Sequence, residues 1–155
     1  MPRIQPKQDT DLPLNILKTM AVSPTFLDGF KAFNSTVSSG TLSEELREKI
    51  ALTAAGVNDC GYCKSAHTMM AKKAGISDAG IEYALKGQCG DEKTNCALTF
   101  VTALIEKKGN ISDADFQAVK DGGFSDQEII DIFGQTMVNM VTNYFNHMVD
   151  TDIDV

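Results

Sequence analysis

The sequence predicts an all-α protein, a compact antiparallel bundle of about seven to eight helices. No stretch alternates apolar and polar residues with period two between turn signals, as a half-buried strand would. Helix starts are marked three times by an apolar residue, a serine and an aspartate, at Ser77, Ser112 and Ser125. An apolar residue follows each serine by four positions and completes a hydrophobic staple. These signals favour helices throughout the chain.

The helix boundaries follow from the start and stop signals. In chain order, helices are expected near residues 14–21, 25–38, 43–56, 60–74, 78–86, 92–108, 113–121 and 126–148. Glycines after helical runs mark most of the ends: Gly40, Gly75, Gly87, Gly109 and the pair Gly122 and Gly123. The three serine starts open the fifth, seventh and eighth helices, and Glu128 completes a capping box with Ser125. Because the connections are short, consecutive helices should pack as antiparallel neighbours.

Composition restricts the class of protein. A chain of 155 residues, 43% apolar and 23% charged, fits one globular domain over residues 1–155, with residues 1–12 as an extended N-terminal arm. The net charge of −7 makes nucleic acid and anionic lipid poor partners. No apolar run is long enough to span a membrane, and the N-terminus lacks the apolar core of a signal peptide, which predicts a cytoplasmic protein. Four cysteines in such a chain favour redox or metal chemistry over structural disulfides.

The last helix carries apolar residues around most of its circumference, between Ile129 and Val149. A helix with this pattern is buried on several sides. Two interpretations stay open: it is the central helix of the bundle, or part of its surface closes an oligomer.

The chemistry of the chain is concentrated in a short segment. At 100° per residue, Cys60, Cys63 and His67 share one narrow stripe of the fourth helix. Asn58 or Asp59 is the expected N-cap, which places both cysteines in the first turns, where the helix dipole favours a thiolate. His67, one turn beyond Cys63, can accept its proton.

Glu48 joins this group by a geometric argument. If the chain reverses near residue 58, Glu48 and His67 lie at similar distances from the turn on facing helices. A carboxylate beside an imidazole fixes its tautomer and raises its basicity. A thiolate activated in this way attacks a peroxide bond to give a sulfenic acid, and a second cysteine then closes a disulfide.

The pattern Glu48-x11-Cys60-x2-Cys63-x3-His67 resembles the signature of the alkyl hydroperoxidase D-like proteins of the carboxymuconolactone decarboxylase superfamily. The match covers about residues 44–75. The resemblance implies a thiol-dependent peroxidase with Cys63 as the nucleophile, Cys60 as the resolving cysteine and a His67–Glu48 proton relay. It further implies no cofactor, a hydroperoxide substrate, a lipoyl-type or thioredoxin-like dithiol reductant, and a trimer or hexamer.

One position departs from that family. Its best-characterised peroxidases have histidine immediately before the second cysteine, where this chain has Tyr62, a poor base near neutral pH. The substitution predicts a weaker proton relay.

Three other functions remain open on the sequence alone. The cysteine pair could exchange disulfides with a protein partner, or the chain could be an acid–base decarboxylase of the same superfamily. Alternatively, Cys60, Cys63 and His67 could hold structural zinc, although a closed site needs a fourth ligand. Outside the motif, Cys96 is expected in the core, His147 is expected to be structural or interfacial, and Cys89 is assigned no role.

Overall fold

The computed structural model describes residues 1–155 and consists of eight helices without a strand. The helices are α1 Asn15–Met20, α2 Pro24–Ser38, α3 Glu44–Val57, α4 Gly61–Lys73, α5 Asp78–Leu85, α6 Glu92–Glu106, α7 Asp113–Asp121 and α8 Asp126–Val149. The all-α fold and each predicted helix are confirmed. None of the eight helices is both long enough and apolar enough to cross a membrane.

The serine starts form the expected caps. The Ser77, Ser112 and Ser125 side chains accept hydrogen bonds from backbone N–H groups in the first turns of α5, α7 and α8. A full capping box forms at Ser125 with Glu128, as predicted, and a second forms at Ser112 with Asp115. Both boxes satisfy N–H groups that have no partner within the helix.

Helix α3 is the centre of the bundle and packs against α4, α5, α6 and α8. Six consecutive residues of α3, Ile50 to Ala55, are fully buried. At the end of this stretch, α3 passes so close to α5 that a Cβ on Gly56 would lie 1.9 Å from the Leu85 carbonyl oxygen. Glycine is therefore required here, and this contact fixes the position of α3 along its axis.

Helix α8 carries apolar residues on both its buried and its exposed sides, but its buried side is more polar than the sequence indicated. Its buried residues include five polar ones, Gln135, Thr136, Asn139, Asn143 and Asn146. Several of its large apolar side chains instead lie exposed on the opposite side, namely Ile130, Phe133, Tyr144 and Met148. The helix therefore turns polar groups inward and leaves an apolar stripe outside.

Candidate active site

The two cysteines of the motif lie at the start of α4, but the predicted N-cap is wrong. Asn58 is the C-cap of α3, and Asp59 reverses the chain with a left-handed backbone, φ 52°. The N-cap of α4 is Cys60 itself, whose sulfur accepts a hydrogen bond from the Cys63 backbone N–H at 3.3 Å. Two residues are needed for the reversal, so the helix begins later than the sequence indicated.

Cys60 and Cys63 are joined in a disulfide. Both are buried, with 1% and 3% of their surfaces exposed. Of the two, only Cys63 lines the active-site cavity, which has a volume of about 360 Å³ and is bounded by residues of α1, α2, α3, α4 and α8. The two sulfurs are therefore not equivalent, because a small molecule in this cavity meets Cys63 first.

His67 and Glu48 form a pair on the wall of the same cavity. His67 Nδ1 lies 2.9 Å from Glu48 Oε2, and both side chains are mostly buried. With the proton on Nδ1, the ring donates to the carboxylate, and Nε2 is left with a free lone pair. The reversal after α3 thus brings the two predicted residues into direct contact, in the arrangement of a base and its orienting carboxylate.

Asn146 is a site residue that the sequence did not reveal. Its side-chain Nδ2 donates to the Cys63 sulfur at 3.3 Å, and its Oδ1 has no hydrogen-bond partner although the residue is buried. A donor directed at the sulfur stabilises a thiolate more than a thiol. The available signal was the spacing of polar residues within an apolar helix, because Gln135, Asn139, Thr142 and Asn146 share one stripe of α8.

Tyr62, at the position of histidine in the peroxidases that the motif resembles, uses its hydroxyl to bind the C-terminal residues. Its hydroxyl donates to Asp154 Oδ1 at 2.7 Å, and the residue is buried. Burial, and secondly the hydrogen bond to Asp154, raise the pKa of the Tyr62 hydroxyl above its ordinary value. Tyr62 therefore stays protonated and ties the redox helix to the C-terminal residues.

The turn between α3 and α4 is held by α8. Asn58 Nδ2 donates to Asn143 Oδ1 at 2.9 Å, and His147 Nε2 lies 2.8 Å from the Asn58 carbonyl oxygen. His147 thus has a structural contact at the turn that positions the cysteines.

The other two cysteines lie outside this site. Cys89 is in the α5–α6 connection, where Lys49 Nζ lies 3.7 Å from its sulfur. Cys96 is half-buried on α6 and packs against Gly122, so it is less enclosed than predicted. No cluster of three or more His, Cys, Asp or Glu side chains is arranged to hold a metal ion.

Residues 24–89 match the carboxymuconolactone decarboxylase family model, and this segment contains Glu48, Cys60, Cys63 and His67. The eight-helix fold also matches solved AhpD-like structures. The chain thus resembles the carboxymuconolactone decarboxylase family over residues 24–89 and shares the AhpD-like fold. No curated protein sequence gives a significant match.

Among the similar solved structures of this AhpD-like fold is an uncharacterised peroxidase-related protein from Silicibacter sp. TM1040. It is 24% identical, with a TM-score of 0.81, over 94% of this chain and 79% of the other. A debrominase, Bmp8, in complex with 2,3,4-tribromopyrrole is 19% identical with a TM-score of 0.86, over 98% and 91%. An AhpD-core peroxidase-related protein from Ralstonia eutropha JMP134 is 19% identical with a TM-score of 0.81, over 90% and 76%. At these identities the likeness is one of fold.

Proposed function

We propose that this AhpD-like protein is a thiol-dependent peroxidase that reduces organic hydroperoxides through a Cys60–Cys63 disulfide cycle. One observation carries the proposal: Cys63 opens onto a cavity whose wall also contains the His67–Glu48 pair. A nucleophile, its base and the orienter of that base thus meet where a small molecule can bind.

In the first step, His67 accepts the Cys63 proton and the thiolate attacks the distal oxygen of the hydroperoxide. The O–O bond breaks, Cys63 becomes a sulfenic acid, and the alkoxide leaving group takes the proton from His67 to leave as an alcohol. Asn146 donates to the sulfur throughout, and Glu48 stabilises the imidazolium that forms transiently.

In the second step, Cys60 attacks the Cys63 sulfenic sulfur and releases water, which forms the disulfide. The N–H of Cys63 that points at the Cys60 sulfur favours a thiolate there, as an N-cap position does. The pair lies three residues apart and is already within bonding distance, so this intramolecular step needs no large rearrangement.

A dithiol must then reduce the disulfide, and no metal or organic cofactor takes part in the proposed cycle. Both sulfurs are buried, so a reductant on a narrow, flexible arm reaches them more easily than the flat surface of a folded protein. This favours a lipoyl-type dithiol over a thioredoxin-like protein as the donor.

The same burial argues against one alternative, and cysteine replacement tests a second. An exchanger of protein disulfides has to present a sulfur to a partner surface, and here both cysteines are at most 3% exposed. A superfamily-type decarboxylase acting by acid–base chemistry would keep its activity when both cysteines are replaced by serine, and this outcome distinguishes it from the peroxidase.

The test is a free-thiol count by alkylation and mass spectrometry on pre-reduced protein, before and after one equivalent of cumene hydroperoxide. The proposal expects loss of two thiols and a Cys60–Cys63 disulfide. Cys63→Ser should abolish the reaction, whereas Cys60→Ser should stop at a sulfenic acid on Cys63 that a dimedone probe traps. Cys96→Ser, outside the site, is the matched control. Thiols that survive minutes of exposure would refute peroxidase activity.

We also propose that the protein self-associates through the exposed stripe of α8. Phe26 and Phe33 of α2 are exposed as well, and they line one surface depression together with Val141 of α8. A contiguous apolar surface of this kind is typical of an interface between copies of a chain. Sedimentation velocity should give a trimer or hexamer, and Phe133→Glu should shift it to monomer; a wild-type monomer at high concentration would refute the proposal.

A further inference from the structure

The active-site cavity extends well beyond the space that a peroxide group needs. Its volume of about 360 Å³ is that of a site for a substantial organic ligand, whereas a water molecule occupies about 30 Å³. Along α8, the cavity reaches from Asn146, beside the Cys63 sulfur, to Gln135, about 16 Å away at the rise of an α-helix. Hydrogen peroxide would leave most of this length empty.

The two ends of the cavity differ in chemistry from its middle. At the Cys63 end, Asn146 Oδ1 is buried without a partner and can accept the hydrogen of a hydroperoxide group. The walls between the two ends are largely apolar and include Leu17, Phe30 and Met70. Such walls can pack against the hydrocarbon part of a substrate.

The far end holds an unpaired cation. Arg47 lines the cavity, is half-buried and forms no salt bridge; its one hydrogen bond runs from Nη1 to the Leu42 carbonyl oxygen at 2.8 Å. A guanidinium has five N–H donors in a planar fork that matches a carboxylate, so most of this capacity is free. The Gln135 amide oxygen, also at this end, is buried without a partner.

The spacing places this cation within reach of a substrate held at Cys63. His67 lies one helical turn, about 6 Å, beyond Cys63 along α4, and it contacts Glu48, the neighbour of Arg47 on α3. Cys63 and Arg47 thus line the same cavity from facing helices, so one substrate molecule can contact both.

We propose that the substrate is an organic hydroperoxide that carries a carboxylate, with the hydroperoxide at Cys63 and Asn146 and the carboxylate on Arg47. This assignment rests on the proposed peroxidase function and specifies its substrate class. The Gln135 amide, turned so that Nε2 faces the carboxylate, adds a second donor. Glu44, an exposed carboxylate on the same wall, opposes the substrate charge and limits the affinity.

The kinetic test uses three probes of similar shape: cumene hydroperoxide, its para-carboxylate and the methyl ester of that acid. Pre-reduced wild-type protein is mixed with each probe, and the rate of thiol loss is followed by stopped flow. The acid should react at least about tenfold faster than the ester at subsaturating concentration, the size expected for one charge-assisted hydrogen-bonded contact. Arg47→Met should bring the acid-to-ester ratio close to one, and Arg47→Lys should restore part of it.

Two further variants control for general charge effects. Glu44→Gln should increase the acid-to-ester ratio, because it removes the opposing carboxylate. Lys73→Met removes a positive charge from an exposed site of α4 outside the cavity and should leave the ratio unchanged. A wild-type ratio near one, or an equal fall in Lys73→Met and Arg47→Met, would overturn the assignment.

A binding measurement separates this inference from peroxidase activity. Calorimetry with the alcohol that corresponds to the carboxylated probe needs no redox reaction. Binding that Arg47→Met weakens by about tenfold supports the carboxylate site even if the thiols prove inert to peroxide. If every probe removes two thiols at the same rate and binding does not depend on Arg47, the peroxidase activity is supported and the carboxylate specificity is refuted.

Discussion

Asn146 Nδ2 donates to the Cys63 sulfur at 3.3 Å, and this contact joins α8 directly to the redox helix. The donor comes from the far end of the chain, 83 residues after the cysteine that it contacts. The reactivity of Cys63 therefore depends on how α8 packs as well as on its own helix.

Replacing Asn146 should raise the pKa of the Cys63 thiol. Asn146→Leu removes the donor, and a hydrogen bond to a charged group corresponds to an increase of about one pKa unit. Asn146→Asp places an anion against the sulfur and should raise the pKa further. The measurement is the pH dependence of iodoacetamide alkylation of Cys63 in a Cys60→Ser background. Superimposable profiles for the three proteins would contradict a positioning role for Asn146.

Glu48→Gln should slow peroxide reduction by roughly tenfold to a hundredfold, since it leaves His67 without the carboxylate that orients it. The readout is the stopped-flow rate of thiol loss across pH. Glu45→Gln, three positions earlier on α3, removes a carboxylate that pairs with Lys49 instead, and it serves as the matched control. Equal effects of the two substitutions would argue against the relay.

Tyr62→Phe should lower stability through its lost hydrogen bond to Asp154, by about 1 kcal/mol. A fall in Tm of about 2–4 °C follows for a domain of this size. Since the pKa of the Tyr62 hydroxyl is raised in the folded state, the protonated form stabilises the fold. This contribution is complete below the ordinary tyrosine pKa of about 10 and is lost as the pH rises above it.

Above about pH 10, the stability of wild type should therefore fall more steeply with pH than the stability of Tyr62→Phe. Urea midpoints at a series of pH values measure the difference. Tyr83→Phe, at an exposed position, is the control and should track wild type. Parallel pH profiles of the urea midpoint for Tyr62→Phe and wild type would show that the hydrogen bond of Tyr62 does not contribute to stability.

Gly56→Ala should destabilise the protein by about 3 kcal/mol, because its Cβ has to displace the backbone of α5. Thermal unfolding should show a fall in Tm of roughly 6–12 °C. Gly29→Ala is the matched control in α2, where a Cβ meets nothing within 4 Å; it should be neutral or stabilising. A Gly56→Ala protein as stable as wild type would mean that α3 and α5 separate at little cost.

The sequence predicted the helices well because their signals are local. Ser77, Ser112 and Ser125 each cap a helix with atoms a few residues away, and no distant contact overrides them. The contact of Glu48 with His67 also follows from one short turn. The N-cap of α4 was missed because both residues before Cys60 are used to reverse the chain.

Asn146, Gln135 and Arg47 could not be assigned to the site in the same way. Their partners come from other helices and depend on how α8 lies across α3 and α4. From the sequence alone, a polar residue in an apolar helix is equally consistent with a surface position and with a place in the site. The polar stripe of α8 can be assigned to the interior only from the packed structure, in which the opposite face of the helix is exposed.

Cys60 at the N-cap of α4 has a consequence for the return half of the cycle. In thiol–disulfide exchange, the sulfur with the lower thiol pKa is the better leaving group. The N–H directed at Cys60 stabilises it as a leaving thiolate, and only Cys63 lines the cavity, so an incoming thiolate should attack Cys63 and expel Cys60. Oxidant and reductant would then enter by the same opening and exclude each other, which predicts ping-pong kinetics with inhibition at high concentrations of the dithiol.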